Sequence, residues 1–300
     1  MNKELFLFYN VENFFPPDDN QKSALYNWDD YKYELKVRKI NHVFRFIEDD
    51  LGQLPAIIGL AEIGGQRVLD DLTNEDSALH DYKIVYQKSD DSRGLSVALL
   101  LNPDKCILQS FSFLKFPKDD DSEFDSRDVL HAEILVNNHK FQVFVLHLPS
   151  KRNKDIKESL RNHILKKLRT RILELHKKGE KIIIMGDFNE NPDHEMIKEL
   201  CKDNENNPVI KNPFETLFDN KLFSTFHGKK GVLFDQILFS ENDNNLNYNI
   251  NQVLIYNNPK LCNKAKKNSQ YPFRTYSGSR YIGGFSDHFP VVLTLEYSQQ

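Results

Sequence analysis

The sequence has few cysteines, no long apolar run and no excess of positive charge. Its three cysteines, at positions 106, 201 and 262, are far apart, so they form neither a metal-binding spacing nor a disulfide framework. No apolar segment approaches the roughly 20 residues that a membrane-spanning helix needs. The N-terminal run Leu5–Tyr9 is too short for a signal peptide and lacks a small-residue cleavage site. We therefore expect a protein of the reducing cytoplasm that does not insert into a membrane.

The charge balance limits how the protein could bind a polyanion. The net charge is −4 and the pI is near 6.2, so no global positive field would attract nucleic acid. No segment interleaves aromatic and basic residues as single-strand binding platforms do. Contact with nucleic acid or a lipid headgroup must therefore depend on local basic clusters or on a metal ion.

The overall composition is typical of a globular protein. At 300 residues, with 39% hydrophobic and 28% charged content, the chain can bury a large core. Its 22 Phe and 12 Tyr residues favour aromatic packing between layers. Length alone allows one or two domains. Because the sequence contains no internal repeat, low-complexity segment or clear linker, we predict a single domain over residues 1–300 and a monomer.

The chain is organised around the stretch Lys181–Pro192, which reads KIIIMGDFNENP. Its three isoleucines and Met185 form a continuous apolar run, which predicts a strand buried on both faces, and Gly186 ends that run. Asp187 and Asn189 point to the same side if the extended conformation continues. They would place a carboxylate able to hold a proton or a divalent cation beside a carboxamide able to hold a phosphoryl oxygen. Taken alone, these two residues also fit an ordinary capped turn.

Hydrophobic periodicity predicts alternating strands and helices along the rest of the chain. The predicted strands are Leu5–Tyr9, Pro55–Ile63, Tyr82–Gln87, Leu95–Leu101, Lys105–Lys115, Val129–Val136, Lys140–Leu146, a central strand from Lys181, Phe234–Phe239, Leu246–Ile255 and Val291–Leu295. The predicted helices are Tyr31–Leu51, Val68–Leu72, Asp155–Lys178 and His194–Cys201. The polar segments Asp18–Asp30 and Lys118–Asp125 are predicted loops, and an Asn-rich loop follows Cys201 to about Asn212.

Polar residues recur at the ends of these strands. Those that follow a strand are Asn10, Glu62, His147, Asp187 and Asn189, and those that precede one are Asp235, Asp287 and His288. Each has an ordinary structural explanation: Glu62 as a solvated carboxylate, His147 as a core histidine, and Asp287 as a cap. Their repetition at what would be one edge of a layered fold predicts an active site there.

The segments that carry these residues resemble a known superfamily. In chain order they are YNVENFF, GLAEI, SRGLSVALLL, FVLHLPSKR, IIIMGDFNENP, LFDQILFS and GGFSDHFPVVLTLE. They resemble the endonuclease/exonuclease/phosphatase superfamily of metal-dependent phosphoesterases, in particular its bacterial members, from about Leu5 to Leu295. GDFN followed at a distance by SDH is the most specific part. The resemblance implies an α/β protein with the DNase I-like fold, a four-layer α/β sandwich of two packed mixed β-sheets flanked by helices.

The resemblance also implies a Mg²⁺ cofactor, for which Mn²⁺ could substitute. Asn10 and Glu62 correspond to the inner metal site, with Glu62 as the direct ligand. Asp287 corresponds to a residue that assists the metal site or the leaving group. Magnesium suits such a sparse set because it keeps several waters and binds substrate phosphate as well.

The remaining matched positions are implied to be catalytic. Asp187 corresponds to the residue that positions or deprotonates the attacking water, and Asn189 to a donor for a phosphoryl oxygen. His288 would hydrogen-bond the scissile phosphate, with Asp235 behind it to fix its tautomer. This pairing predicts a protonated His288 imidazole at neutral pH. His147 corresponds to a second phosphate-facing histidine.

Substrate binding is assigned to basic residues in the matched segments. Arg127 and Arg274 are predicted to contact phosphate together with His147 and Asn189, although a solvated surface charge is the alternative for each arginine. DNase I, the sphingomyelinases and the inositol-polyphosphate phosphatases carry histidine at the position of His147. The abasic-site repair enzymes carry tyrosine there, so a dedicated repair enzyme is disfavoured.

Three functions remain open from the sequence. The leading prediction is a Mg²⁺-dependent phosphodiester hydrolase, most simply a nuclease with nucleic acid as its substrate. The second is a phosphatase or phosphodiesterase acting on a lipid headgroup or a small phosphorylated metabolite. The third is a catalytically inactive binding module, which the filled catalytic positions argue against. The fold does not fix the substrate, so the first two need experiment.

Overall fold

The computed structural model describes residues 2–17, 28–117, 126–151, 157–240, 248–265 and 270–297. The predicted loop Lys118–Asp125 and most of the predicted loop Asp18–Asp30 lie outside these ranges. The helices are α1 (Asp30–Leu51), α2 (Gln66–Leu72), α3 (Glu158–Lys177), α4 (Glu195–Leu200) and α5 (Phe214–Asp219), with a 3₁₀ turn at Pro259–Leu261. Among the described residues, none of these helices has the length and apolar character required to cross a bilayer.

The strands form two large sheets of six strands each. Sheet 1 contains β1 (Asn2–Phe14), β2 (Ile57–Ile63), β3 (Lys83–Tyr86), β4 (Ser96–Leu101), β13 (Tyr248–Ile255) and β16 (Val291–Tyr297). Sheet 2 contains β5 (Cys106–Leu114), β6 (Val129–Val136), β7 (His139–His147), β8 (Ile182–Asp187), β9 (Ile210–Lys211) and β12 (Asp235–Ser240). Two small hairpins pair β10 (Thr225–His227) with β11 (Lys230–Val232) and β14 (Tyr276–Ser277) with β15 (Arg280–Tyr281).

Both large sheets are mixed, and each has one parallel pair near its centre. The order in sheet 1 is β13-β16-β1-β2-β4-β3, with β1 parallel to β2. The order in sheet 2 is β5-β6-β7-β8-β12-β9, with β7 parallel to β8. Since α1 and α3 are the long segments that precede the second strand of each parallel pair, they act as the crossover helices that parallel pairing requires.

Burial along β8 shows how the layers stack. Ile183 and Met185 belong to the core cluster between the sheets, whereas Ile182 and Ile184 belong to a second cluster with Leu168 and other residues of α3. Side chains alternate along a strand, so a strand covered on both faces needs the continuous apolar run that the sequence shows. Sheet 2 therefore lies between sheet 1 and α3, as the four-layer prediction requires.

The outer layer on sheet 1 is formed by α1. The Asp29 side chain caps its first turn by accepting from the Lys32 amide, and Gly52 ends it in the left-handed conformation. Its inner face is buried, and the Tyr33 ring lies 5.6 Å from that of Phe14 on β1. The predicted fold class is thus confirmed: two mixed sheets pack face to face with helices outside.

Every predicted strand and helix is present in the described part of the chain, with shifted ends. The largest shift is in β1, which continues from Tyr9 to Phe14 through an irregularity after Asn10. The apolar run ends at Gly186, but the strand does not, because β8 continues to Asp187. A Cβ at Gly186 would lie 2.3 Å from the Leu146 carbonyl oxygen, so glycine there permits close approach of β7 rather than ending the strand. The short elements β9, α5, β10, β11, β14 and β15 were not predicted.

Candidate active site

Three of the predicted catalytic side chains form a row across sheet 2. His147 on β7 pairs in register with Asp187 on β8, and Asp187 pairs with Asp235 on β12. All three are buried. Residues opposite each other on adjacent strands point to the same face, so the row follows directly from the strand register. It places a histidine and two carboxylates at one end of the sandwich.

Sheet 1 contributes Asn10 and Glu62 to the same end. The Asn10 Nδ2 atom lies 3.1 Å from Asp187 Oδ2 and 3.4 Å from Glu62 Oε1, so one amide links the two carboxylates across the sheets. The amide orientation is fixed because Asn10 Oδ1 accepts from the Glu12 amide at 3.1 Å. The sequence assigned Asn10 to the metal site as a ligand type. In the structure its nitrogen, rather than its oxygen, faces the carboxylates.

The backbone around these residues adopts conformations that are unusual for non-glycine residues. Glu62 has φ 66° and Asn189 has φ 50°, both in the left-handed region. Each bend brings a main-chain amide to a carboxylate: Asn13 N donates to Glu62 Oε2 at 2.6 Å, and Asn189 N donates to Asp187 Oδ1 at 2.9 Å. Such strain costs on the order of 1–3 kcal/mol per residue and concentrates at functional sites.

His147 and Asp187 face each other at the centre of the site. The His147 Nε2 atom lies 3.4 Å from Asp187 Oδ2 and 4.0 Å from Glu62 Oε1. Burial and the neighbouring charge of Asp235 raise the pKa of Asp187 to about 7, against the opposing effect of His288. Near neutral pH this carboxyl is therefore able both to give and to take a proton, as an acid–base group in catalysis must.

His288 and Asp235 form a hydrogen-bonded pair. The distance from His288 Nδ1 to Asp235 Oδ2 is 2.7 Å, and the Ser224 hydroxyl donates to the same oxygen at 2.5 Å. Burial lowers the pKa of His288, but the charges of Asp235, Asp287 and Asp187 and the hydrogen bond to Asp235 outweigh it. The pKa therefore lies well above its usual value, in the direction predicted from the sequence. The Nδ1 bond leaves Nε2 to face the reaction site.

Asp287 and Arg274 lie at the open side of the site. The Arg274 Nη2 atom lies 2.6 Å from Asp287 Oδ2, and the two side chains are 43% and 28% exposed. Partial burial raises the pKa of Asp287, but the positive charges of His288, Arg274 and Lys36 lower it further, so the net shift is downward. Asp287 is thus a charged carboxylate that substrate or metal can reach. Arg274 is the predicted substrate-binding arginine that the structure brings to this side.

Arg127 is placed differently. Its side chain is 4% exposed, its Nη1 donates to the carbonyls of His147 and Leu148 at 3.1 and 3.3 Å, and its Nη2 lies 3.6 Å from Asp91. The structure does not bring this guanidinium to the open side of the site, because its nitrogens contact backbone carbonyls and the buried Asp91 carboxylate. It holds the chain where His147 ends β7. The Asn189 amide likewise donates one hydrogen to Leu148 O at 2.9 Å, which leaves its second hydrogen for another acceptor.

Two supporting clusters were not found from the sequence. Glu12 accepts from the backbone amides of Thr275 and Tyr276, and the buried Lys36 ammonium donates to Thr275 Oγ1 and the Phe285 carbonyl. These bonds fix the segment that carries Arg274 and Asp287. The available signal was the spacing of Lys36 from Tyr33 and Ile40, which places a lysine on the buried face of α1.

The second cluster lies behind the loop that follows β8. The buried Glu190 carboxylate accepts from Arg161 Nε and Nη2 at 3.0 and 2.7 Å, and the Lys151 ammonium pairs with its other oxygen. Arg161 also donates to the Pro149 carbonyl at 3.1 Å. Glu190 therefore joins α3 to the two loops that follow His147 and Asp187. Its position directly after GDFN was the available signal.

The side chains of the site could hold a metal ion. Asp187, Asp235 and His288 have ligand atoms that all lie within 4.8 Å of one another. In this group Asp235 and His288 are already hydrogen-bonded to each other. The additional oxygens of Glu62 and Asp287, both partly exposed, are hard ligands of the kind that Mg²⁺ and Mn²⁺ prefer. The donor set as a whole fits a hard divalent cation.

Two mixed sheets packed face to face, with buried carboxylates and histidines at one end, define a phosphoester hydrolase of the DNase I-like class. The chain belongs to the Endonuclease/Exonuclease/phosphatase family, because the sequence profile of that family matches residues 6–297. Members of this family are phosphoesterases that generally depend on a divalent metal. The predicted membership and the predicted enzyme class are both confirmed.

Solved structures share the fold at low sequence identity. D. rerio TDP2 complexed with a single-strand DNA product is 14% identical with a TM-score of 0.62, over 99% of this chain and 100% of that one. The human Nocturnin catalytic domain with bound sulfate is 15% identical with a TM-score of 0.61, over 99% and 95%. The mannosyl-6-phosphatase of Bacteroides thetaiotaomicron is 16% identical with a TM-score of 0.62, over 98% and 100%. No curated protein sequence matches the chain.

Proposed function

We propose that the protein is a Mg²⁺-dependent phosphodiester hydrolase that acts on nucleic acid. The observation that carries this proposal is that two side-chain pairs lie in one site: His147 is 3.4 Å from Asp187, and His288 is hydrogen-bonded to Asp235. The first pair can accept a proton from a water molecule, and the second can present a cationic hydrogen-bond donor to a phosphate. Hydrolysis of a phosphoester requires both functions in one place.

Asp187 is the proposed base for the attacking water. Its pKa of about 7 matches the pH at which a general base works best. The Asn10 amide and the Asn189 backbone N–H hold its two oxygens, so its orientation is set before substrate arrives. His147, at 3.4 Å, supplies a donor that can contact either the carboxylate or a phosphoryl oxygen.

His288, Asn189 and Arg274 are the proposed donors for the developing negative charge. Asp235 accepts from Nδ1–H of His288 and, with the neighbouring carboxylates, raises the pKa of the ring, so the protonated imidazole also offers Nε2–H to the scissile phosphate. The second hydrogen of the Asn189 amide and the partly exposed Arg274 guanidinium would contact other phosphate oxygens. Glu62, assisted by Asp287, would hold the metal, and a bound Mg²⁺ would polarise the phosphoryl oxygen as a Lewis acid.

Nucleic acid is the proposed substrate, and a phosphorylated metabolite or lipid headgroup is the alternative. Among structures with this fold, one TDP2 holds single-stranded DNA and another enzyme is a mannosyl-6-phosphatase. Because these identities are below 25%, the two structures share the fold with this chain but do not identify its substrate. The catalytic side chains do not separate the substrates either, since they act on the phosphate that all of them contain. A third possibility, an inactive binding module, conflicts with the completeness of the acid–base set.

The decisive experiment is a turnover panel in Mg²⁺. Plasmid DNA, single-stranded RNA, bis(p-nitrophenyl) phosphate, mannose 6-phosphate and a phosphoinositide would be offered to the protein, with Asp187→Ala as the blank. We expect cleavage of nucleic acid that EDTA stops and that Mg²⁺ or Mn²⁺ restores. Hydrolysis confined to the sugar phosphate or headgroup would replace the nuclease assignment. Equal turnover by Asp187→Ala, or activity that persists in EDTA, would contradict the mechanism.

A further inference from the structure

A pocket of about 570 Å³ opens beside the active site. It shares Asp287 and Arg274 with that site, and its other walls include Phe226, Lys229, Asn263 and Tyr271. We call these six residues the flanking pocket. Its volume lies within the roughly 300–1,000 Å³ usual for pockets that hold a single small molecule. Because Arg274 lines this pocket, a molecule that enters it would lie directly beside any phosphate that Arg274 binds.

One wall of the flanking pocket is aromatic. The rings of Phe226 and Tyr271 meet edge to face, with centroids 4.3 Å apart and planes at 83°. Phe223 supports Phe226 from behind, at 6.0 Å and 79°. Phe223 is itself held close to Gly231, where a Cβ would lie 2.0 Å from the ring. The wall is therefore fixed in place by packing before any ligand binds.

The flanking pocket also carries positive charge and an amide. In the described part of the chain no carboxylate lies within ion-pair distance of the exposed Lys229 ammonium, whereas Arg274 is already paired with Asp287. Asn263 adds a side chain that can both donate and accept hydrogen bonds. A flat ring next to two cations and an amide matches the chemistry of a nucleotide: a base, and a phosphate on either side of its sugar.

The hairpin that carries Phe226 and Lys229 is bonded to the catalytic residues. Thr225 Oγ1 donates to the Asp287 carbonyl at 2.7 Å, and Thr225 forms a β-bridge with His288. The preceding Ser224 donates to Asp235 at 2.5 Å and accepts from the Phe289 amide at 2.8 Å. These bonds set the distance between the aromatic wall and the reacting phosphate, so the pocket can read a group at a fixed position along a chain.

We propose that the flanking pocket is a subsite for the nucleotide next to the scissile phosphate of a single-stranded nucleic acid. Its base lies against the wall formed by Phe226 and Tyr271, and its far phosphate contacts Lys229. This assignment rests on the proposed function and names the substrate class within it. A duplex does not fit, because its base is stacked and paired and cannot enter a pocket sized for one unit. A sugar phosphate lacks the flat π-face that the wall is built to contact.

The test compares two strands that differ only in their bases. One is a DNA oligonucleotide with normal nucleotides, and the other carries abasic tetrahydrofuran residues throughout, so the backbone phosphates are the same. Stacking of a base on an aromatic side chain is worth about 1–3 kcal/mol, so the KM of wild type should be roughly 5- to 150-fold lower for the base-bearing strand. Phe226→Ala and Tyr271→Ala should bring this ratio towards one, whereas Tyr271→Phe, which keeps the ring, should retain it.

Lys229 is tested through the salt dependence. Lys229→Ala should raise the KM for both strands and reduce the slope of log KM against log salt by about 0.7, the contribution of one phosphate contact in a single strand. The matched controls are Lys230→Ala, the same charge change on the same hairpin outside the pocket, and Phe111→Ala, an exposed ring on the edge strand β5. Neither control should change the KM ratio or the slope.

Each result separates the subsite from the proposed function. Equal KM values of wild type for the two strands, with both strands cleaved, would overturn the subsite and leave the nuclease. Hydrolysis of bis(p-nitrophenyl) phosphate with neither strand cleaved would overturn the subsite and the nucleic-acid substrate but keep a phosphoesterase. A KM for mannose 6-phosphate that rises in Phe226→Ala would assign the pocket to a sugar phosphate and overturn the proposal. Silence towards all substrates would overturn the proposed function itself.

Discussion

Asp187 is the residue on which most of the site's contacts converge, and its position is unfavourable for a charged group. It is buried between Asn10, His147 and Asp235, and its pKa is raised from 3.8 to about 7. A raised carboxyl pKa means that stability is complete below the unfolded pKa and is lost as pH rises through the folded pKa. Between about pH 4 and pH 7 the metal-free protein should therefore lose stability at this residue.

Replacing Asp187 by Asn should stabilise the metal-free protein while abolishing hydrolysis. Asn removes the buried charge and retains a carbonyl oxygen for the Asn189 amide, and the loss of the second oxygen, which accepts from Asn10, offsets part of the gain at both pH values. We expect a gain of roughly 1–3 kcal/mol at about pH 8 and little gain near pH 4. Urea unfolding in EDTA at the two pH values measures this difference. A gain of equal size at both pH values would show that ionisation of Asp187 is not its cause.

His288 and Asp235 should behave as one catalytic unit. His288→Gln should lower kcat by roughly 10²- to 10⁴-fold, because the cationic donor to the phosphate is lost. Asp235→Asn should have a similar effect through the tautomer of His288, since the two side chains meet at 2.7 Å. The double variant should be no worse than the worse single variant. Rate losses that multiply in the double variant would mean that the residues act independently.

At the residue scale, the sequence predicted which side chains meet at the site better than it predicted the direction in which each one points. Motif order was sufficient to gather Glu62, His147, Asp187 and His288 at one site. The rotation of the Asn10 amide depends on the backbone amide of Glu12, whose position is set by local strain. The burial of Arg127 depends on the backbone carbonyl of His147, which is distant in sequence. A linear pattern contains no record of either.

At the scale of elements, α3 and the loop after β8 depend on the buried pair Arg161–Glu190. Arg161→Met should destabilise the protein by about 3 kcal/mol, because it removes the bidentate partner of a carboxylate that is 1% exposed and leaves Lys151 and His194 as its basic contacts among the described residues. Arg161→Met with Glu190→Met should recover part of that loss, since two apolar groups replace two charges. Chemical unfolding measures both.

The surface pair Arg171–Glu174 on the same helix is a matched control for this prediction. Its atoms lie 3.2 Å apart and its side chains are 40% and 55% exposed. Arg171→Met should change the free energy of unfolding by less than about 1 kcal/mol, as exposed pairs do. A similar loss in Arg161→Met and Arg171→Met would show that burial of the Glu190 charge is not what stabilises the loop.

Long apolar elements were predictable, and short paired ones were not. The periodicity of α1 and α3 and the continuous run of β8 are local properties, so they are readable from a window of residues. The hairpin of β10 and β11 has only three residues per strand, and its position comes from Thr225 bonding to Asp287, 62 residues away. The aromatic wall is assembled the same way, because Phe226 and Tyr271 come from two short segments that are 45 residues apart and neither segment alone forms the wall.

At the scale of the whole molecule, a bound metal should join the two sheets. Glu62 belongs to sheet 1 and the row of His147, Asp187 and Asp235 to sheet 2, so an ion held between them would bind only the folded chain. Mg²⁺ at 100 times its Kd should then stabilise the protein by about 2.7 kcal/mol. Thermal melting with and without Mg²⁺ measures this shift.

Glu62→Gln should abolish the Mg²⁺-dependent shift, because it removes the charge of the proposed direct ligand. Glu133→Gln, a carboxylate on β6 in the other sheet, is the matched control and should retain the shift. An undiminished shift in Glu62→Gln would move the metal site to other ligands, of which the group Asp187, Asp235 and His288 is the first candidate.

The register that aligns His147, Asp187 and Asp235 has a consequence for how this protein can change. A single deletion within β8 would invert the direction of Asp187 and break its alignment with both neighbouring strands in one event. Insertions in the hairpin at Gly228, or in the segment between β14 and β15, leave that alignment intact. Changes in the length of these loops can therefore alter substrate binding, in evolution or by design, while the strand register keeps the catalytic side chains aligned.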